Sequence, residues 1–118
     1  VALCGDELPV FSGNDNQVIP ILALGGKGVV SVFSNVLPRQ MHDIVLGYLE
    51  GDKEEALHQF LHWLDLMNAL FFDVNPIPVK EAMNLLGMEA GPCRLPLTAM
   101  GAAAKEKMTA VMKKHGMI

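Results

Sequence analysis

The sequence predicts an α/β fold: one strand–helix–strand unit in front and helices alone behind it. Three observations carry this reading. Two short apolar runs, residues 8–12 (Leu-Pro-Val-Phe-Ser) and 28–33 (Gly-Val-Val-Ser-Val-Phe), bracket one helix-sized segment. No third strand signal follows. Beyond Asn35 the apolar residues recur at helical spacing rather than alternating.

Pro9 at the start of the first run suits a strand entrance, and the run predicts a buried strand. Gly13-Asn14-Asp15-Asn16 is turn chemistry, with Asn and Asp suited to capping the helix predicted over residues 18–24. Pro20 fits its first turn, where a missing N–H costs little. Gly25-Gly26 stops it. The β-branched second run predicts a strand buried on both faces. A strand, helix and strand within so few residues predicts parallel pairing. Two parallel strands alone leave hydrophobic edges open to pairing with another chain.

Asn35 is predicted to cap the next helix, with Pro38 in its first turn and Met41, Ile44, Val45, Tyr48 and Leu49 as its stripe. Gly51 ends it. Asp52 followed by Glu55 resembles a capping box and opens a helix to about Phe72, with Leu57, Phe60, Leu61, Leu64 and Phe71 as its apolar face. Asn75-Pro76 breaks that helix. Pro76 or Pro78 opens another that ends at Gly87, Gly91-Pro92 is a loop, and a last helix runs from Ala99 to His115 with Gly116 behind it. The expected division is residues 1–50, a βαβα piece, and residues 51–118, a helical piece.

The 118 residues suffice for one ordinary domain, and a hydrophobic share of 51% argues against disorder. No apolar stretch reaches the roughly 18 residues of a membrane helix. A net charge of −4 argues against a nucleic-acid surface. The lysines of the last helix, Lys105, Lys107, Lys113 and Lys114, read as a solvated face. Cys4 and Cys93 read as reduced thiols of a cytoplasmic protein, with a disulfide as the alternative. Position 1 is Val and no basic segment precedes it, so no secretory signal is expected and residues are expected to have been removed upstream.

His58 and His62 stand four apart, the spacing of a two-histidine metal clamp, but Gln59 replaces the glutamate of the zincin pattern, and no metal is expected. Gly25-Gly26-Lys27-Gly28 precedes a strand, the wrong order for a phosphate cradle. Lys27 then falls at the entering end of its strand, away from the ligand face of a barrel. Lys80 reads as a surface or salt-bridge residue. The exit ends of the strands hold Ser12, Gly13, Asn14, Asp15, Ser34 and Asn35. In parallel α/β folds that rim binds ligands. Helix capping alone is the other reading of Asn14, Asp15 and Asn35.

In order and spacing, Ser12-Gly13-Asn14-Asp15, Gly25-Gly26-Lys27-Gly28-Val29-Val30-Ser31-Val32, Asn75-Pro76-Ile77-Pro78-Val79-Lys80 and Arg94-Leu95-Pro96-Leu97 resemble the dihydrodipicolinate synthase family. The resemblance implies the last two strand–helix units of a (β/α)8 barrel followed by a C-terminal helical extension. A whole barrel takes about 250 residues, so the first six strands are expected to be absent. It implies a lyase of lysine biosynthesis in which a lysine forms a Schiff base with pyruvate and the enamine attacks aspartate semialdehyde, with no cofactor. That lysine, the proton-relaying tyrosine and the arginine that binds the aldehyde's carboxylate are implied to lie upstream, leaving no catalytic residue in this chain. Three substrate-binding positions carry over: Gly13 beside pyruvate, Val30 with its backbone toward the Schiff base, and Asp15, which matches a second-substrate contact in sibling aldolases. A homotetramer is implied. The alternatives are a sibling pyruvate-dependent aldolase such as N-acetylneuraminate lyase, or, for the chain in isolation, a non-catalytic helical oligomerisation module.

Overall fold

A computed structural model describes residues 1–5 and 7–118. They group into two compact units, Val1–Leu64 and Asp65–Ile118.

In the first unit, strand β1 (Phe11–Ser12) runs parallel to β2 (Gly28–Val29), with Phe11 opposite Gly28 and Ser12 opposite Val29. The ladder extends by one bond each way: Lys27 N–H donates to the Val10 carbonyl and Val30 N–H to the Ser12 carbonyl, both at 2.8 Å. Among the described residues the sheet has these two strands. The predicted strands are therefore present, parallel and shorter than expected. Burial of both is corrected: Phe11 is 53% and Val30 74% exposed, in a sheet of only two strands among the described residues. The second run leaves the ladder after Val30. The N–H groups of Val32 and Phe33 bond the Asp15 carboxylate, and the chain turns into a 3-10 turn over Phe33–Asn35.

A 3-10 turn over Asp15–Gln17 leads into helix α1 (Val18–Ala23), whose Val18, Ile19 and Leu22 are buried. Its end is a Schellman closure. Gly25 takes φ +96°, its N–H bonds the Leu22 carbonyl, and Gly26 N–H reaches back to the Ile21 carbonyl at 2.9 Å. Helix α2 (Pro38–Glu50) begins with Pro38, as expected, but its cap is Leu37. Asn35 instead donates from Nδ2 to the Val32 carbonyl inside the preceding turn. Met41 and Ile44 carry the buried stripe of α2, and Leu49 stays exposed.

Helix α3 (Lys53–Ala69) starts where Asp52 predicts. Asp52 Oδ1 accepts the N–H groups of Glu54 and Glu55 at 3.0 and 3.1 Å. Glu55 binds Gln59 Nε2. The predicted apolar face is rotated by one residue. Leu57 and Leu61 are exposed, while Ala56 and Phe60 are buried, as are Leu66, Met67 and Ala69 further along. Ala56 is small enough for close approach by α2: a Cβ on Gly47 would stand 3.3 Å from that of Ala56. The helix ends at Ala69, before Phe71 and Phe72, whose N–H groups make turn bonds to Asn68 and Ala69.

In the second unit, α4 (Ile77–Leu85) follows a cis Asn75-Pro76 bond, with Pro76 as cap and Pro78 in the first turn. Helix α5 (Ala102–Lys114) starts three residues later than expected, with Gly101 as its cap; Gly101 N–H donates to Asp73 Oδ2. Gly87 and Gly116 close α4 and α5 as predicted, at φ +78° and +65°. Met108 and Met112 of α5 are fully buried. The lysine face is partly engaged rather than simply solvated: Lys105 pairs with Glu81 and Lys114 with Asp65.

Candidate functional site

The parallel pair fixes which end of the sheet can take a ligand. Both strands leave at the same edge, where residues 12–15 and 30–35 face each other. Ser12 is buried; its Oγ donates to the Asn14 carbonyl at 2.7 Å and accepts the Asn14 N–H, so the turn is closed locally. Asn14 caps the 3-10 turn by position, without a side-chain bond. Gly13, between them, has no atom within 4 Å of where a side chain would start.

Asp15 is 1% exposed. Its Oδ2 accepts the backbone N–H groups of Val32 at 3.1 Å and Phe33 at 2.9 Å, tying the exit of β1 to the exit of β2. Its Oδ1 is buried and accepts no hydrogen bond among the described residues. Ser31 and Ser34 close the next turn: Ser34 N–H donates to Ser31 Oγ, and Ser34 Oγ to the Ser31 carbonyl. Val30 is 74% exposed. The structure thus brings Gly13, Asp15 and Val30 to one edge, two of them open and one enclosed.

The other candidates lie elsewhere. Lys27 enters β2 at the opposite end. Lys80, read as a surface or salt-bridge residue, donates from Nζ to the Pro92 carbonyl at 2.8 Å, an exposed tie to a loop. Tyr48, on α2, lies under Lys53 Nζ, 5.1 Å from its ring centre. His62 stands edge-on to Trp63 at 4.7 Å. No group of three metal-ligating side chains occurs among the described residues. Cys4 and Cys93 are free thiols.

One cluster escaped sequence reasoning. Asp65 accepts Lys114 Nζ at 2.6 Å on one oxygen and meets His115 Nε2 at 2.7 Å on the other. Partial burial pushes the Asp65 carboxyl up, but the hydrogen bonds and charges of Lys114 and His115 outweigh it and bring it to about 2. Some 50 residues separate the partners, so no local spacing announces them. Asp73 is also held low, by the N–H groups of Gly101 and Val74. These contacts tie helix ends together and lie on no strand exit.

The model of the dihydrodipicolinate synthetase family matches residues 1–115. The 4-hydroxy-tetrahydrodipicolinate synthase of Acetivibrio thermocellus is 48% identical over 118 residues, all of this chain and 40% of that protein. The chain thus spans about 40% of the length of the curated relatives it matches. The crystal structure of dihydrodipicolinate synthase from Thermotoga maritima superposes with a TM-score of 0.90 at 38% identity, covering 98% of this chain and 39% of that one. The enzyme from Acinetobacter baumannii, solved in complex with pyruvate, gives 0.90 at 32% identity, over 99% of this chain and 40% of that one. The fold of this chain is accordingly a partial (β/α)8 barrel followed by helices. The chain belongs to the dihydrodipicolinate synthetase family.

Proposed function

We propose that the chain is the C-terminal part of a dihydrodipicolinate synthase, a cytoplasmic lyase of lysine biosynthesis that joins pyruvate to aspartate semialdehyde. The observation that carries this is the superposition of 99% of the chain on an enzyme solved with pyruvate. The rim supports it: a glycine with nothing near it and an exposed strand-end residue leave room for a small keto acid to approach backbone. In the proposed reaction a lysine amine from outside these residues attacks the keto carbon of pyruvate and expels water. The resulting imine loses a proton to become an enamine, whose carbon attacks the aldehyde. Residues 1–118 supply walls rather than reacting groups. Gly13 and Val30 stand beside the pyruvate-derived part, and Asp15 belongs to the same rim. No cofactor takes part, and the whole protein assembles as a tetramer.

The test is turnover by the full-length protein. Condensation of pyruvate with aspartate semialdehyde is expected. Failure on that pair with cleavage of N-acetylneuraminate would move the reading to a sibling aldolase.

A second reading concerns the chain by itself. Phe11, Val30, Leu61 and Leu95 are 53%, 74%, 57% and 87% exposed. So much open apolar surface favours a non-catalytic module that self-associates. Light scattering that found a monodisperse monomer would contradict it.

A further inference from the structure

We propose that Asp15 is a positioning residue: it sets the Val30 carbonyl against the substrate by holding the backbone beyond it, and does not touch substrate. The proposal rests on the reading of this rim as the synthase pocket. The resemblance alone places Asp15 as a second-substrate contact, and three observations favour the other role.

The first is enclosure. Asp15 is 1% exposed although the sheet beside it has only two strands among the described residues. A carboxylate buried to this degree, with one oxygen committed to two backbone N–H groups, has little surface to offer a ligand that meets the open Gly13 and Val30. The second is the direction of its bonds. One oxygen takes two consecutive N–H groups, those of Val32 and Phe33. Two consecutive donors on one buried oxygen anchor the start of the 3-10 turn.

The third is what lies between the anchors. Val30 N–H is committed to the Ser12 carbonyl at 2.8 Å. The Asp15 carboxylate grips the chain two and three residues later. Val30 is pinned on both sides, and its carbonyl is the backbone group left to meet a ligand. Phe33 side-chain burial at 0% exposure and its ring contact with Trp63 at 6.1 Å make the second anchor rigid. Without the carboxylate, both N–H groups lose their acceptor inside the protein. The strand end is then free to shift, with Val30 at its tip.

The experiment uses the full-length protein with Asp15→Asn and Asp15→Ala. The amide oxygen of Asn can accept both N–H groups, and its nitrogen takes the place of the oxygen that now accepts none. Asp15→Asn is therefore expected to keep kcat within about fivefold of wild type, with KM for both substrates within about threefold. Asp15→Ala is expected to lower kcat about 10- to 100-fold, the scale of a misplacement near 1 Å. Amide exchange at Val32 and Phe33 is expected to quicken in Asp15→Ala and stay near wild type in Asp15→Asn.

A rise of more than about tenfold in KM for aspartate semialdehyde in Asp15→Asn, with kcat intact, would overturn the proposal in favour of direct contact. So would wild-type kinetics in Asp15→Ala. If Asp15→Ala does not fold, Asp15→Asn still decides through its KM and kcat. A wild-type protein that does not turn over the pair refutes the functional reading instead, which is a separate outcome.

Discussion

Asp65 shows how a single side chain can be fixed by partners far along the chain. Its carboxyl is lowered from 3.8 to about 2 by Lys114 and His115, against the opposing effect of burial. The fold favours its charged form, so the contribution is complete above the ordinary carboxylate value and is lost as pH falls through about 2. The urea midpoint of the wild-type protein should therefore fall across that window, and Asp65→Asn should show a shallower fall. An unchanged slope in the variant would remove Asp65 as a source of acid sensitivity. Site positions were partly legible at this scale. Gly13 and Asp15 lie at a strand exit, where the turn chemistry of residues 13–16 put them, whereas Val30 was named by the family resemblance alone. The enclosure of Asp15 was not legible, because its acceptor role depends on N–H groups 17 and 18 residues away.

Elements were legible where local chemistry decides them. Glycine after a helix, Asp before one and Pro in a first turn all marked real boundaries, at Gly25, Gly87, Gly116, Asp52, Pro38 and Pro78. Such signals yield testable magnitudes. Asp52→Ala removes the acceptor for two N–H groups of α3 and should cost about 1 kcal/mol, with Asp52→Asn near neutral. Gly26→Ala is harsher. Its new Cβ would fall 2.5 Å from Ile21 Cγ2 and 2.8 Å from the Ile21 carbonyl oxygen, and that carbonyl is held in the helix closure. A loss of about 1–3 kcal/mol is expected, read as a lowered unfolding midpoint; no change would mean that the αβ turn is looser than drawn. Where tertiary contact decides, local signals misled. The face of α3 was set by Ala56 meeting Gly47, a contact between two residues too small to register in an apolar stripe. The second strand stopped early because Asp15 took the N–H groups that a longer ladder would have used.

At the scale of the whole molecule, the two-strand sheet explains most departures from expectation. Phe11 and Val30 are apolar residues of the kind that fill a barrel interior, yet 53% and 74% of their surfaces are open. The sequence carried both the fold and its incompleteness, in the ordered motifs and in the missing third strand. Spans of about 40% of each relative agree with that. No lysine here stands at the strand exits: Lys27 enters its strand at the far end and Lys80 holds the Pro92 carbonyl. We propose that this chain lines a Schiff-base pocket whose reacting amine lies elsewhere. Incubation with pyruvate and borohydride, followed by intact-mass and peptide analysis, tests it directly. One pyruvate adduct is expected on the full-length protein, on a lysine outside residues 1–118, while the 118-residue chain alone stays at its unmodified 12.8 kDa. An adduct on Lys27, Lys80 or any other lysine of this chain, or none on the full-length protein, would contradict it.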